Sequence, residues 1–527
     1  MIRNSSLLQP QARFLRKRPP GGLLFAVYAP FGSDPMLSGF PDGTVLPLAQ
    51  QPLLKALQQV AAHGVDVAAL IDLVDDDSWL VEIPACAPLA MTVVSAWKQA
   101  MNQPQALAGF LSRAHQRFPC DHLVLALEGH GAGYLPEIDG QRITPASSSQ
   151  GSGQSVEWQL GAGGSRPVDP GTGLPVLPLS GFVDLPVESP EALPVTLPLS
   201  TWAVAEALRL ARKAGVPKPA VVHFNNCFNM ALEHLHAVAP HAGWATGYAN
   251  YNFFTAGLPY PQVFERLRQA GTATAGELAA WFADANDTLL SAKHNHPTIG
   301  ATVRLSRMRS VAAAVDRLAL ILVGALRTDR AGHLPRIQQA VEAALQYDSD
   351  ADYALEVPDQ TTDLGSLAAQ LQSIYPNGDV HDAATALARV LKGVWRYGDS
   401  GNPHMAPGQF WDFRDPRLGM GLLLPDPTRI GLSDWRTPYY MAGRVDPVRP
   451  PALKAQVPFL ADRADGSRAP WPLFIEEYHK DVVFQGLLRI QPLRFPVYAA
   501  QARPGNPEPP GQKDPRSGPA GNPTQSR

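Results

Sequence analysis

One cysteine and one histidine each stand just past a short apolar run of the length typical of a buried strand. The run 123–127 leads within three residues to His130, and the run 220–224 leads within three residues to Cys227. In an open parallel sheet the carboxyl ends of neighbouring strands border one crevice, so we expect the two side chains to meet although they are far apart in sequence. A thiol beside an imidazole is a pair that performs nucleophilic attack by sulfur.

A neutral thiol is a weak nucleophile, and the sequence around Cys227 favours its activation. Cys227 lies where a helical pattern begins, so the helix dipole is expected to stabilise a thiolate, and His130 offers a base for the proton. The backbone amides of Gly131 and Cys227 are expected to face a developing oxyanion. This set of groups suits hydrolysis of a peptide or amide bond. Singly, such a cysteine is more often an inert core residue and such a His-Gly pair more often a turn, so the hypothesis depends on their joint placement.

The segments around these residues predict an α/β fold, because strand and helix patterns alternate. Strands are also predicted over 22–29, 65–73, 78–83, 244–248, 298–305 and 418–425. Helices are predicted over 52–63, 105–117, 200–214, 260–292, 307–347, 363–374, 381–397 and 471–478, with a further helix from Cys227 to about Ala239. The expected architecture is a mainly parallel sheet flanked by helices, with a C-terminal, partly helical subdomain.

Local composition divides the chain into parts. Residues 1–20 are expected to form a flexible lead, 21–306 a catalytic domain, 307–502 the C-terminal subdomain and 503–527 a disordered tail. Within the catalytic domain, the segment 134–198 is rich first in Ser, Gly and Gln and then in Pro. Such composition buries little apolar surface, so we expect a flexible insertion between the two catalytic strands.

Bulk properties exclude several classes of partner. The 527 residues include 44 basic and 47 acidic side chains, a net charge of −3, which leaves no electrostatic footprint for nucleic acid or an anionic membrane. No apolar run reaches the length of a membrane span, and the run 23–28 is too short for a signal peptide. Three scattered cysteines suit a reducing compartment, and Cys86 and Cys120 are expected to be structural. We therefore expect a cytoplasmic protein, without a cofactor, that acts on a protein or peptide; its oligomeric state stays open.

Six segments, taken in order, carry a resemblance to a known family. They are 102–110 (NQPQALAGF), 119–125 (PCDHLVL), 130–134 (HGAGY), 225–230 (NNCFNM), 363–367 (DLGSL) and 419–425 (GMGLLLP). Together they resemble the motifs of the clostripain-like (C11) cysteine peptidases of the caspase-like clan. The resemblance implies a caspase-like fold, with His130 as the general base, Cys227 as the nucleophile and the Gly131 amide as an oxyanion donor. It also implies that the insertion contains a loop that is cut during self-activation.

Position 225 departs from that family, in which an aspartate two residues before the cysteine helps to select a basic residue at P1. Asn225 carries no charge, and residues 248–250 replace an acidic pair after the next strand, so an ionic partner for a P1 guanidinium is missing. We expect a neutral or altered S1 pocket in which Asn225 and Asn226 contact the P1 side chain. The same amides are equally suited to cap the turn before Cys227.

Other groups of reactive residues are weaker candidates. His234, His236 and His241 do not converge on one helix face, and the carboxylates at 75–77 suit a solvated turn better than a calcium site, so no metal is expected. The chain has neither the G-x-S-x-G elbow of serine esterases nor a phosphate-binding loop.

The sequence therefore predicts a cysteine endopeptidase with a His130/Cys227 dyad, activated by cleavage in the loop between the two residues. One alternative is an inactive caspase-like scaffold that binds a protein or peptide partner, because the positions near the S1 pocket have drifted. Another is a cysteine transferase or amidase with a small substrate. The presence of His130, Gly131 and Cys227 favours the enzyme.

Overall fold

The computed structural model of this chain describes most of the residues from 22 to 481. The described ranges are 22–31, 46–73, 78–99, 101, 103–129, 131, 133–138, 162–163, 176–177, 197–250, 252, 255, 257–294, 299–347, 361–397, 413, 415–424, 440 and 453–481. The predictions for the lead 1–20, the tail 503–527, the carboxylates at 75–77 and most of the insertion lie outside these residues, and so does His130.

The described backbone contains strands along most of its length. They are β1 (Leu23–Pro30), β2 (Asp66–Asp72), β3 (Ser78–Ile83), β4 (Thr92–Gln99), β5 (His122–Glu128), β6 (Glu137–Ile138), β7 (Ala162–Gly163), β8 (Val176–Leu177), β9 (Leu197–Pro198), β10 (Val221–Asn225), β11 (Trp244–Tyr248), β12 (Gly300–Arg304), β13 (Gln346–Tyr347), β14 (Thr361–Asp363), β15 (Val394–Tyr397), β16 (Gly421–Leu423) and β17 (Leu453–Ala455).

Within the described ranges, ten strands form one sheet in the order β15-β12-β11-β10-β5-β1-β2-β3-β4-β8. The five central strands, from β11 to β2, run parallel, and the outer strands add antiparallel. The central strands are almost continuous apolar runs because both of their faces are buried. The predicted α/β class with a mainly parallel sheet flanked by helices is confirmed, and β5 and β10 are neighbours.

Helices cover both faces of this sheet. They are α1 (Pro52–Ala62), α2 (Pro104–Arg117), α3 (Thr201–Lys213), α4 (Leu232–Val238), α5 (Tyr260–Ala270), α6 (Ala275–His294), α7 (Met308–Thr328), α8 (Arg330–Ala343), α9 (Leu364–Ile374), α10 (Asp379–Leu391) and α11 (Pro470–Tyr478). One core packs α1, α5 and α6 against the sheet. A second core joins the opposite face to α2, α3, α4 and the helices from α7 onward. The helices after residue 307 thus share this second core with the sheet. None of the described helices combines the length and apolar character needed to cross a bilayer.

Several elements differ from the sequence-based expectation. The helices predicted over 260–292 and 307–347 are each divided in two, into α5 and α6 and into α7 and α8. The helix predicted over 381–397 ends at Leu391, and its last residues form β15 at the sheet edge. A turn at Lys392 and Gly393 separates the two elements, and the following Val-Trp-Arg-Tyr run has the β-branched and aromatic character that favours a strand. Strand β4 was not predicted, because its exposed positions, such as Val93, interrupt the alternation of apolar and polar residues.

The first residues of the predicted insertion are part of the packed structure. Tyr134 and Leu135 are buried, and β6 pairs with β17 far along the chain. The amide of Leu135 also donates to Oγ1 of Thr201 at the start of α3 (2.8 Å). Residues 134–138 therefore leave the end of β5 along a fixed path, which matters for the site.

Candidate active site

Strands β5 and β10 bring their carboxyl ends to one edge of the sheet. They pair in parallel over five residues of register, and the last pair is Asn225 opposite Glu128. Gly131 follows β5 and Cys227 follows β10, so both leave the sheet side by side. This is the crevice at the carboxyl ends of the strands that the sequence predicted.

The backbones of Gly131 and Cys227 lie in direct contact. A Cβ atom added to Gly131 would overlap the carbonyl oxygen and the amide nitrogen of Cys227. A side chain at position 131 would therefore separate the two loops, so glycine is required here by close approach rather than by a positive φ. His130 immediately precedes Gly131 and lies outside the described residues.

The turn that carries Cys227 is set by contacts with the neighbouring loop. Phe228 has a positive φ of 59°, which is uncommon for a residue with a side chain. Its amide donates to the carbonyl of Asn250 (3.1 Å), and the amide of Met230 donates to the carbonyl of Tyr248 (3.0 Å). Helix α4 begins at Leu232, so the expectation that Cys227 lies at a helix N-terminus is wrong. The helix dipole acts within the first turn of a helix and does not stabilise this thiolate.

Cys227 is a half-buried residue, and its thiol has two backbone groups of Asn252 beside it. The amide of Asn252 donates to Sγ (3.4 Å), and the carbonyl of Asn252 lies 3.6 Å from Sγ, where it accepts from the thiol. Burial raises the pKa of the thiol to about 12, although hydrogen bonds from the amides of Asn252 and Gly131 act in the opposite direction. The resting thiol is therefore protonated at neutral pH, and a base must remove its proton for attack.

Asn225, two residues before Cys227, lies in a network of buried polar side chains. Its Nδ2 donates to Oε2 of Glu128 (2.9 Å) and to Oγ1 of Thr255 (3.2 Å). Its Oδ1 accepts from Nδ2 of Asn252 (2.8 Å) and from Nδ2 of Asn286 (3.1 Å). The amide of Asn225 thus uses both donor hydrogens and both lone pairs inside the protein. Oδ1 of Asn252, however, is buried without a hydrogen-bond partner among the described residues.

Glu128 is the acidic member of this network. It is fully buried at the end of β5, and the hydroxyl of Tyr260 donates to its Oε1. Burial raises the pKa of the Glu128 carboxyl to about 7, against the hydrogen bonds from Tyr260 and Asn225, which lower it. His223 packs against the ring of Tyr260, and burial lowers its pKa to about 3, so it is neutral. The sequence analysis missed Glu128 and Tyr260; a single acidic residue ending an otherwise apolar strand was the available signal.

Asn226 holds the turn together. Its Nδ2 donates to the carbonyl of Leu127 at the end of β5 (3.2 Å), and its Oδ1 accepts from Nδ2 of Asn229. These contacts are those of the turn-capping alternative, and contact with a P1 side chain stays a prediction for both asparagines.

The structure also describes His234, Cys86 and Cys120, which the sequence makes weaker candidates. His234 is buried on α4 against Phe224, and burial lowers its pKa to about 4. The described residues contain no cluster of His, Cys, Asp and Glu that could hold a metal ion. Burial also raises the pKa of the Cys120 thiol to about 12, and Cys86 is exposed.

The chain is similar to solved structures of C11 cysteine proteases, the family that its sequence motifs resemble. A secreted C11 cysteine protease from Bacteroides thetaiotaomicron in complex with an irreversible peptide inhibitor has 15% identity and a TM-score of 0.47, over 77% of this chain and 92% of that one. An inactive zymogen C11 protease from Parabacteroides distasonis has 12% identity and a TM-score of 0.44, over 76% and 91%. No family model and no curated protein matches the chain. At these identities the similarity concerns the fold and assigns no residue a role.

Proposed function

We propose that this protein is a cysteine endopeptidase in which Cys227 attacks the scissile carbonyl and His130 takes the proton of the thiol. The observation that carries the proposal is the contact of the Gly131 and Cys227 backbones at the ends of two adjacent parallel strands. This contact fixes the residue after His130 against the nucleophile. In the proposal, the imidazole of His130, the residue before Gly131, acts on the thiol as the general base.

The first half of the reaction forms an acyl-enzyme. As Sγ of Cys227 bonds to the carbonyl carbon, its proton moves to the His130 imidazole. The carbonyl π electrons move to oxygen, and the amides of Gly131 and Cys227 stabilise the oxyanion. When the oxyanion collapses, the C–N bond breaks and the imidazolium gives its proton to the leaving amine. Because burial holds the resting thiol protonated, proton transfer accompanies attack.

The second half releases the acyl group by hydrolysis. His130 takes a proton from water, the resulting hydroxide attacks the thioester, and the C–S bond breaks with return of the proton to sulfur. Cleavage in the segment 134–198 belongs to the proposal as the activating step, since that segment joins the two loops in sequence. The reaction requires no cofactor.

The S1 pocket in this proposal has the polar network as its floor. Asn225 and Asn226 lie just before the nucleophile, but the amide of Asn225 is fully engaged inside the protein. The carbonyl oxygen Oδ1 of Asn252 is an acceptor without a hydrogen-bond partner among the described residues, as is Oδ1 of Asn286. A P1 side chain that donates hydrogen bonds suits this floor better than an apolar or acidic one.

A peptide library read by mass spectrometry tests the proposal. The wild-type chain, before and after nicking of the segment 134–198, is compared with Cys227→Ala and His130→Ala, and with Cys120→Ser as the matched control. We expect cleavage by the wild type and the control, and none by the other two variants. Cleavage that survives Cys227→Ala contradicts the proposal.

The raised pKa of Cys227 favours a second candidate, an inactive scaffold that binds a peptide partner in the same crevice. A thiol with a pKa of about 12 behaves as an ordinary buried thiol unless a base acts on it. Under this hypothesis the wild type and Cys227→Ala retain the same peptides and cut none of them.

A further inference from the structure

We infer that Tyr440 and Glu233 are positioning residues that hold the Cys227 loop and the His130 loop in a fixed relation. The inference rests on the proposed function. It concerns a set of contacts that we call the brace, formed by β16, Glu233, Tyr440 and Tyr134. The brace joins both loops to a later part of the chain, between residues 421 and 440.

Glu233 connects the brace to the nucleophile. It lies in the first turn of α4, six residues after Cys227, and is fully buried. Its Oε1 accepts from the backbone amide of Leu423 in β16 (2.9 Å) and from the hydroxyl of Tyr440 (2.7 Å). This single oxygen therefore accepts from two segments that are distant in sequence and connects both of them to the first turn of α4.

Strand β16 also contacts the backbone immediately before α4. The amide of Gly421 donates to the carbonyl of Met230 (2.8 Å), and Ala231 forms a parallel bridge with Gly421. A Cβ on Gly421 would lie 2.7 Å from Cγ2 of Thr361, so this close approach requires glycine. The backbone from Met230 to Glu233 is therefore attached to β16 immediately after the nucleophile turn.

A buried aspartate fixes β16 in turn. Oδ2 of Asp363 accepts from the amides of Gly419 (2.9 Å) and Met420 (3.2 Å), and its Oδ1 caps α9 by accepting from the amide of Ser366 (2.8 Å). Asp363 thus fastens the approach to β16 to the start of a helix. Because β16 is held in this way, the brace can fix the positions of the Cys227 loop and the His130 loop.

Tyr440 connects the brace to the second loop. Its ring packs edge-to-face on the ring of Tyr134, with centroids 5.0 Å apart. Tyr134 follows His130 by four residues, is buried, and donates from its hydroxyl to Oε1 of Gln456 (2.9 Å). One side chain, Tyr440, therefore contacts Glu233 through its hydroxyl and the His130 loop through its ring.

The chemistry explains why such a brace affects the rate. The thiol of Cys227 is protonated at rest, so turnover depends on the distance over which its proton passes to His130. Misplacement by about 1 Å costs on the order of 100-fold in rate. The brace acts on this distance without contacting the substrate.

The main test replaces the hydroxyl alone. Tyr440→Phe keeps the ring on Tyr134 and loses the hydrogen bond to Glu233. We expect kcat to fall about ten-fold with KM unchanged, because positioning and not binding is impaired. The matched control is Tyr375→Phe, which removes a hydroxyl contact with His333 (3.1 Å) in the same C-terminal part but away from both loops. A fall in kcat no larger than that of the control, at equal loss of thermal stability, overturns the inference.

Hydrogen exchange tests the brace independently of catalysis. In Tyr440→Phe we expect faster exchange at the amides of Phe228 and Met230, which fix the Cys227 turn, and unchanged exchange at these amides in Tyr375→Phe. If the wild type cleaves no peptide, the proposed function fails. The positioning role of the brace is still tested by the exchange rates of these amides. Equal exchange in both variants overturns it.

A second variant covers the other loop, in case Tyr440→Phe folds poorly. Tyr134→Phe loses the hydrogen bond to Gln456 and keeps the aromatic contact, so it is the milder change. We expect faster exchange at the amide of Leu135 and a smaller loss of kcat than in Tyr440→Phe.

Discussion

Nδ2 of Asn225 donates a hydrogen bond to Oε2 of Glu128 across the two strands that end at the candidate site, at 2.9 Å and in matched register. The acidic group that the sequence appeared to lack beside the cysteine is therefore present on the neighbouring strand. It is buried, hydrogen-bonded and shared with Tyr260, so its charge state is part of how the site is built.

Replacing Glu128 by Gln should remove a pH-dependent loss of stability. The folded-state pKa of about 7 lies above the ordinary value of 4.5, so the folded protein binds this proton more tightly than the unfolded chain. Below about pH 4.5 the carboxyl is protonated in both states, so it does not lower the free energy of unfolding. As the pH rises through 7, ionisation of the buried group lowers that free energy by about 3 kcal/mol. We expect the free energy of unfolding to fall less between pH 4.5 and 8 in Glu128→Gln than in the wild type, as measured by urea denaturation.

The exposed carboxylate of Glu265 provides the control for that experiment. Glu265 lies on the surface of α5. We expect Glu265→Gln to show the same dependence of the free energy of unfolding on pH as the wild type. A profile of Glu128→Gln parallel to that of the wild type would show that Glu128 is already ionised without cost.

Replacing Gly131 by Ala should separate the two catalytic loops. The added Cβ overlaps the backbone of Cys227, so one loop must move, and a displacement of about 1 Å lowers kcat/KM on the order of 100-fold. Peptide cleavage is the measurement. Gly324→Ala, at an exposed site inside α7 with open space around the new methyl group, is the control and should raise stability by up to about 1 kcal/mol without changing activity. Full activity of Gly131→Ala would mean that this contact does not determine the relative position of the two catalytic loops.

Alkylation of Cys227 should keep rising with pH. In a Cys86→Ser/Cys120→Ser background, Cys227 is the cysteine that reacts with iodoacetamide, and its rate follows the thiolate fraction. Because burial raises the pKa to about 12, we expect the rate to increase from pH 6 to pH 10 without a plateau. A plateau below pH 8 would instead show a thiolate paired with an imidazolium at rest, and its loss in His130→Ala would identify the partner.

The sequence predicted the positions of the strands better than the environment of the site. Two apolar runs were sufficient to place β5 and β10 as neighbours, since strands buried on both faces have a local signature. The start of α4 was predicted at Cys227 but lies at Leu232, because hydrogen bonds from Phe228 and Met230 to residues 248–250 hold the intervening turn. Those partners lie in another loop, and contacts of this kind do not produce a periodic pattern of residues in the sequence.

The hydrogen-bond partners of Glu128 could not be predicted from local sequence patterns either. Tyr260 lies 132 residues away, and nothing in its local sequence distinguishes it from an ordinary first residue of a helix. The contact of Tyr440 with Glu233 spans 207 residues and shows the same limitation. Local patterns therefore placed the candidate nucleophile, whereas the buried polar contacts around it depend on the tertiary structure.

Exchanging the asparagine at 225 for aspartate should destabilise the protein rather than restore a pocket for a basic side chain. The new carboxylate would lie within hydrogen-bonding distance of Glu128 in a buried site, where two like charges cannot both ionise. We expect Asn225→Asp to lower the free energy of unfolding at pH 8 by roughly 3 kcal/mol and much less at pH 5, where the pair shares a proton. The exchanged pair Asn225→Asp/Glu128→Gln again has one acid and one amide, so it should recover most of the loss at pH 8. If the single variant is as stable as the wild type at pH 8, Glu128 is not the acidic partner of position 225.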